Sequence, residues 1–214
     1  MDALWAQGWR HFGAHFFRYS LMEHDGALLT VVPVRVDLSQ FALTKSQRRM
    51  LRRNADVNVE LAPACVTDEA CRIFHRHKTR FSENVPEDLT DFLSGDPARV
   101  PCECLQVRCV LGGECVAVSF FDIGQRSVSS VYAMFEPGCA ERSLGIFSML
   151  QEITWAQSQG KQFAYPGYAT LGRSHYDYKK QFTGLQGYDW TDQCWKPWSA
   201  MSAASGPAGA TLRL

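Results

Sequence analysis

Apolar and polar positions alternate most regularly from Val128 to Phe135, which predicts a β-strand, and the alternation stops over Glu136 to Arg142, where Pro137 and Gly138 break it. From Ser143 the apolar residues recur at helical spacing until Gly160, so a strand, a loop and a long helix are expected in succession. Ser143 is a candidate N-cap. The first amides of the helix it opens, together with the positive end of the helix dipole, suit a carbonyl oxygen or a phosphate, and the chemistry is expected at this loop.

Cys102 to Val110 and Cys115 to Asp122 alternate as strands across Leu111-Gly-Gly-Glu114, a hairpin that leads through Gly124 to Arg126 into the strand at Val128. Beyond the long helix, Ser143 to Ser158, come a short strand, Gln162 to Tyr165, a loop through Gly172, a helix from Ser174 to Gln181 and an aromatic segment ending at Trp198. Nearer the start, Trp5, Trp9, Phe12 and Phe16 stand near helical spacing and predict an amphipathic helix over Leu4 to Phe17. Leu28 to Leu38 reads as a strand, placed at a sheet edge by Pro33. Val57 to Leu61 is another strand, Thr67 with Asp68 and Glu69 opens a helix running to about Phe81, and Pro86 to Leu93 is a short helix stopped by Gly95.

The chain has 214 residues, 46% of them hydrophobic and 12% aromatic, enough for one sizeable core with at most a small appendage. Lys and Arg number 22 against 22 Asp and Glu, so any nucleic-acid contact must rest on a local cluster. There is one: Lys45, Arg48, Arg49, Arg52 and Arg53 fall at i, i+3, i+4, i+7 and i+8, which puts five cations with no acid on one helix face. Solvated faces ordinarily mix signs, and unmixed arginine is better explained by phosphates. Eight cysteines without C-x-x-C spacing, and no charged and apolar leader, point to reduced thiols in a cytoplasmic protein with no membrane part. No metal is expected, since Cys102 and Cys104 lack a second pair and His75 and His77, two apart on a helix, point different ways and read as solvated.

The order of three strands, loop, helix, strand and helix resembles the N-acetyltransferase-like fold, an α+β architecture with a mixed, mostly antiparallel sheet flanked by helices. Its coenzyme A users carry R/Q-x-x-G-x-G/A before the long helix; here Arg142-Ser-Leu-Gly-Ile-Phe147 ends in a large residue. More specifically, Ser129-Ser-Val-Tyr132, Phe135-x-Pro137, Ser143-Leu-Gly-Ile-Phe-Ser148, Tyr165-x-Gly-Tyr168 and Tyr178-Lys179 resemble the aminoacyl-tRNA-protein transferases of the N-degron pathway, and Pro33-Val-Arg-Val36, Lys45-Ser-Gln-Arg-Arg49 and Arg52-Arg-Asn54 agree. That family includes the arginyltransferases and the leucyltransferases acting on N-terminal Asp or Glu. The chain departs from it in having no cysteine cluster near Asp25 to Val31, Glu136 for an Asp, His175 for a Lys and Thr183-Gly184 for Arg-Pro.

The resemblance implies transfer of an amino acid from aminoacyl-tRNA, as co-substrate and without a cofactor, to a protein, a peptide or a small amine. In that setting Glu136 is expected to take the amine's proton, with Tyr132 and Tyr168 lining the cleft and an amide near Ser143 holding the oxyanion. Lys179 is expected to assist the leaving ribose oxygen or bind the acceptor's carboxylate. Leu144, Gly145, His175 and Tyr178 complete the substrate-binding set, and the five cations from Lys45 to Arg53 bind tRNA. The expected organisation is a subdomain over 1–43, a transferase domain over 44–198 and a flexible tail over 199–214. Two rival readings are an acyl-CoA-dependent N-acyltransferase and a non-catalytic tRNA-binding module.

Overall fold

The computed structural model describes residues 1–24, 26–82 and 85–203. The chain opens with helix α1 (Asp2–Ala6) and a small hairpin, β1 (Arg10–Phe12) and β2 (His15–Phe17), where the aromatic spacing predicts one helix. Gly8 and Gly13, at φ of 82° and 53°, end the helix and turn the hairpin, conformations that a side chain disfavours. Of the four aromatics only Phe12 and Phe16 enter the hairpin, on opposite faces: Phe12 packs against Phe17 and Phe92, and Phe16 against His11.

β3 (Leu21–His24) and β4 (Ala27–Asp37) follow, then α2 (Lys45–Arg53), β5 (Asn58–Pro63), α3 (Asp68–His77), β6 (Cys104–Leu111), β7 (Glu114–Ile123), β8 (Ser127–Phe135), α4 (Leu144–Ser158), β9 (Phe163–Thr170), β10 (Leu185–Asp189), β11 (Cys194–Pro197) and α5 (Trp198–Ala203). Nine strands form one sheet in the order β11-β10-β4-β9-β8-β7-β6-β5, with β3 beside the start of β4. Every pairing is antiparallel except β8 with β9, as a mixed, mostly antiparallel sheet requires.

β4 is interior, not an edge: it lies between β9 and β10, although it carries Pro33 and belongs to the first 43 residues. The peptide groups of residues 31, 33 and 35 face the same side. Val31 donates there to Ser20, β3 pairing ends at Thr30 and β10 pairing begins at Val34, so the missing Pro33 N–H falls in the gap between two partners. The segment over 86–93 keeps only a short turn, Leu89–Asp91. The first residues of the expected tail form α5, whose Met201 is buried, and 204–214 lie outside the described residues.

One core lies between the sheet and α4, and a second under α3. In α3 the buried positions are Ala70, Ile73, Phe74 and His77, spaced i, i+3, i+4 and i+7, so His77 is inside rather than solvated. Burial pushes its imidazole down to about 4, where it stays neutral at cellular pH and meets the Phe135 backbone. His75 is exposed, as expected.

Candidate active site

β8 and β9 pair only over Ser127 to Ser129 and Phe163 to Tyr165, and then separate. Beyond that point β8 stays with β7 and β9 stays with β4, so the sheet opens and leaves carbonyls facing the gap without a strand partner. Arg10, buried on β1, reaches into the opening. Its guanidinium donates to Ser129 Oγ at 2.8 Å, to the Tyr165 carbonyl at 3.1 Å and to the Ser130 carbonyl.

Lys179 enters the same opening from the turn His175–Gln181, which Ser174 caps. Its ammonium is 7% exposed and donates to the Tyr168 carbonyl at 3.0 Å. Burial first, then the neighbouring Arg10 charge, pulls the Lys179 pKa down to about 7. Gly167 makes room for both cations. Its φ is 104°, and a Cβ there would lie 3.2 Å from Lys179 Nζ and 3.7 Å from Arg10. Gly167→Ala is therefore expected to cost about 1–3 kcal/mol in urea unfolding, with transfer reduced at least about tenfold by displacement of Lys179.

Glu152, on α4, is the acidic counterpart. It is 2% exposed, accepts from Ser119 Oγ at 2.6 Å and from Ser130 Oγ, and burial raises its pKa to about 7 despite those donors. Arg10 and Glu152 escaped the sequence reading. Glu152 had a readable signal, being a lone carboxylate on a helix stripe whose neighbours Ser148, Met149 and Ala156 are all buried. Arg10 had none, for its partners lie more than a hundred positions away.

Of the residues expected at the site, Lys179 and the backbone of Tyr168 are brought together. The Tyr168 hydroxyl donates to the Gly8 carbonyl at 3.1 Å, and Tyr178 is largely buried, its pKa raised chiefly by desolvation. Tyr132 stacks on Phe92 at 3.9 Å, beside Phe74 and His77, and its buried hydroxyl meets no partner among the described residues. Glu136 instead ends β8 and pairs with Arg76 of α3 at 3.0 Å. Glu136→Gln is expected to lower stability in urea unfolding by no more than about 1 kcal/mol, because Arg76, the other half of the pair, is largely exposed.

Ser143 does not cap α4 with its side chain; it sits at φ 55°, in the left-handed region, and so aims its hydroxyl away from the first turn. Leu144 is fully buried in the core, which leaves only its backbone to face a substrate. A Cβ on Gly145 would make ordinary contact with Phe135. The side chain of His175 lies outside the described residues. Phe147 is also a core residue, so its size does not fill the loop, and the argument against coenzyme A drawn from it falls.

The basic helix is present and placed. Thr44 and Gln47 form a capping box, Gln47 and Asn54 face inward, and Lys45, Arg48, Arg49, Arg52 and Arg53 are all exposed. Among the described residues no carboxylate lies within ion-pair distance of these five. Its C-terminal end docks on the loop before α4: Arg53 donates to the Glu141 carbonyl at 2.5 Å and Asn54 to the Arg142 carbonyl at 3.0 Å, while Arg142 pairs with Asp56. The two surface hollows, lined by Asp37, Gln157 and Lys161 and by Pro63, Arg99 and Glu103, lie elsewhere. We place the site at the buried charges rather than at either hollow.

Residues 70–189 match the family model described as arginine-tRNA-protein transferase, C terminus, over more than half of the chain. The chain belongs to this family. Among transferases of the family, the aspartate/glutamate leucyltransferase of Stenotrophomonas maltophilia K279a is 34% identical over 171 residues, covering 74% of this chain and 66% of the relative. The chain thus spans just under two thirds of that relative's length. The aspartate/glutamate leucyltransferase of Pseudoalteromonas atlantica is 33% identical over 189 residues, covering 85% of this chain and 77% of that one. Among solved structures, the C-terminal domain of a putative lysylphosphatidylglycerol synthetase from Agrobacterium fabrum superposes with a TM-score of 0.54 at 14% identity, covering 82% of this chain and 65% of that chain. FemX superposes at 0.53 and 9% identity, covering 89% and 68%. These likenesses show the fold alone, and the chain has the N-acetyltransferase-like architecture expected from its element order.

Proposed function

We propose that this chain transfers an amino acid, leucine by analogy with the named relatives, from aminoacyl-tRNA to the α-amine of a protein or peptide beginning with Asp or Glu. The observation that carries the reading is the Lys179 amine, held near neutrality in the opening between β8 and β9. The aminoacyl ester is already activated, so the reaction needs positioning and proton transfer rather than a cofactor.

The acceptor nitrogen attacks the ester carbonyl carbon and forms the new amide bond. Neutral Lys179 takes the proton that the nitrogen must lose. The bond from carbonyl carbon to ribose oxygen then breaks, and the proton passes from Lys179 to that oxygen, leaving the lysine as it began. Arg10 holds the carbonyls at the opening and, after burial, helps to lower the Lys179 pKa; Glu152 fixes Ser119 and Ser130. The exposed cations of α2 bind the phosphates of the tRNA, next to the loop that leads into α4. Such a substrate places the reaction in the cytoplasm; among the described residues, no helix is long and apolar enough to cross a membrane.

The test is incubation with total tRNA charged with labelled amino acids and peptides beginning with Asp, Glu or Ala. Label that survives RNase in the Asp and Glu peptides is the expected result. Retained tRNA binding with no labelled peptide would replace transfer with the binding-module reading.

A further inference from the structure

Next to Arg10 on β1, His11 is buried, and its Nδ1 lies 2.9 Å from the Gly13 carbonyl oxygen. A carbonyl only accepts, so Nδ1 carries a proton. Nε2 faces Asp122 Oδ2 at 2.6 Å, and Asp122 is 2% exposed. The ring and the carboxylate thus face each other across a short, buried contact that draws β1 to β7. Cys102 completes the group: its sulfur, the His11 nitrogen and an Asp122 oxygen all lie within 4.8 Å of one another. Cys104 is the register partner of Asp122, but its thiol donates to the Leu105 carbonyl at 3.6 Å.

An imidazole nitrogen, a thiol sulfur and a carboxylate oxygen are the donors that a borderline-soft divalent cation takes, and histidine ligands of such ions commonly donate the other ring N–H to a backbone carbonyl, as His11 does here. We propose that His11, Cys102 and Asp122 form a three-ligand site for a zinc-class divalent cation, with water in the fourth position.

The fit is close. Tetrahedral zinc separates such donor atoms by about 3.3–3.8 Å, so the ring and the carboxylate need to part by roughly 1 Å. Cys102 is half-buried, which gives the ion a way in. A cation here fastens β1 to the facing ends of β6 and β7, and since Arg10 is the preceding residue, it sets the guanidinium at the opening of the sheet. This role is positional: the cation does not touch the reacting atoms.

The experiment is titration of the chelator-treated full chain with Co(II), in a Cys65→Ser, Cys194→Ser background that removes the two exposed thiols. One equivalent is expected to produce a thiolate-to-cobalt charge-transfer band with the visible bands of a tetrahedral centre. Cys102→Ser should weaken binding at least about 100-fold, with circular dichroism unchanged. Zn(II) should displace the cobalt and raise the melting temperature of the parent but not of Cys102→Ser. Absence of a thiolate band at one equivalent would overturn the site, leaving a buried His11–Asp122 contact only. So would a band that survives Cys102→Ser. Neither readout depends on transfer activity, so loss of the site leaves the proposed reaction standing.

Discussion

Lys179→Met abolishes transfer and makes the fold more stable. The loss follows from the proton's route, since no other group among the described residues offers a near-neutral amine in the opening, and removal of a general base lowers the rate by about 10²–10⁴-fold. The gain follows from burial. A lysine at 10.5 in the unfolded chain and about 7 in the folded one contributes stability that is fully present above 10.5 and lost as pH falls towards 7. At and below neutrality the fold therefore carries a desolvation penalty of several kcal/mol, which methionine removes while keeping the stem; the Tyr168 carbonyl, left without its donor, takes part of that back. A rise in melting temperature of about 5 °C at pH 7 is expected, shrinking to little at pH 10. In the unmodified chain, transfer should climb as pH rises through about 7 and then level, because only the neutral amine accepts the proton. A variant that melts lower and transfers normally would remove Lys179 from the mechanism.

Reversal of Arg48, Arg49, Arg52 and Arg53 to Glu should weaken tRNA binding by at least about 10³-fold and flatten the slope of log affinity against log salt by about 3. All four side chains are exposed; the change at Arg53 removes its bond to the Glu141 carbonyl, but the inward Gln47 and the Asn54 contact with the Arg142 carbonyl are untouched and keep the helix docked. Filter binding at two salt concentrations reads both quantities. Undiminished affinity would mean that tRNA lies on another face, even if transfer persists.

How much was legible divides by the distance over which residues act. The β6–β7 hairpin, the capped basic helix and the strand before α4 are local patterns, set by alternation, by Thr44 with Gln47 and by Gly112 with Gly113, and they stand where the sequence puts them. The N-terminal hairpin was not legible, because the helical spacing of the aromatics outweighed the two glycines, which end α1 and turn the hairpin so that Phe12 and Phe16 fall on opposite faces. The interior place of β4 depends on what pairs with residues 31 to 35, which no local rule reveals. Motifs single out the loop and Lys179, which the fold buries beside Arg10; Glu136 is paired with Arg76, while Glu152 and Asp122 are the carboxylates that the fold buries. Arg10, His11, Asp122 and Glu152 meet only after folding has brought together segments from both ends of the chain.

The interior position of β4 also has a consequence for synthesis. Its partners β9 and β10 begin at Phe163 and Leu185, well over a hundred residues later, and at about 5–20 residues per second a ribosome takes roughly ten seconds to supply them. During that interval β6, β7 and β8 can pair as consecutive hairpins and β5 can join them across α3, while Val31, Val32, Val34 and Val36 wait with β3 alone beside them. Completion of the sheet is thus a late, long-range closure, and in a crowded nascent chain the valine-rich strand is the segment that a holding chaperone would need to cover.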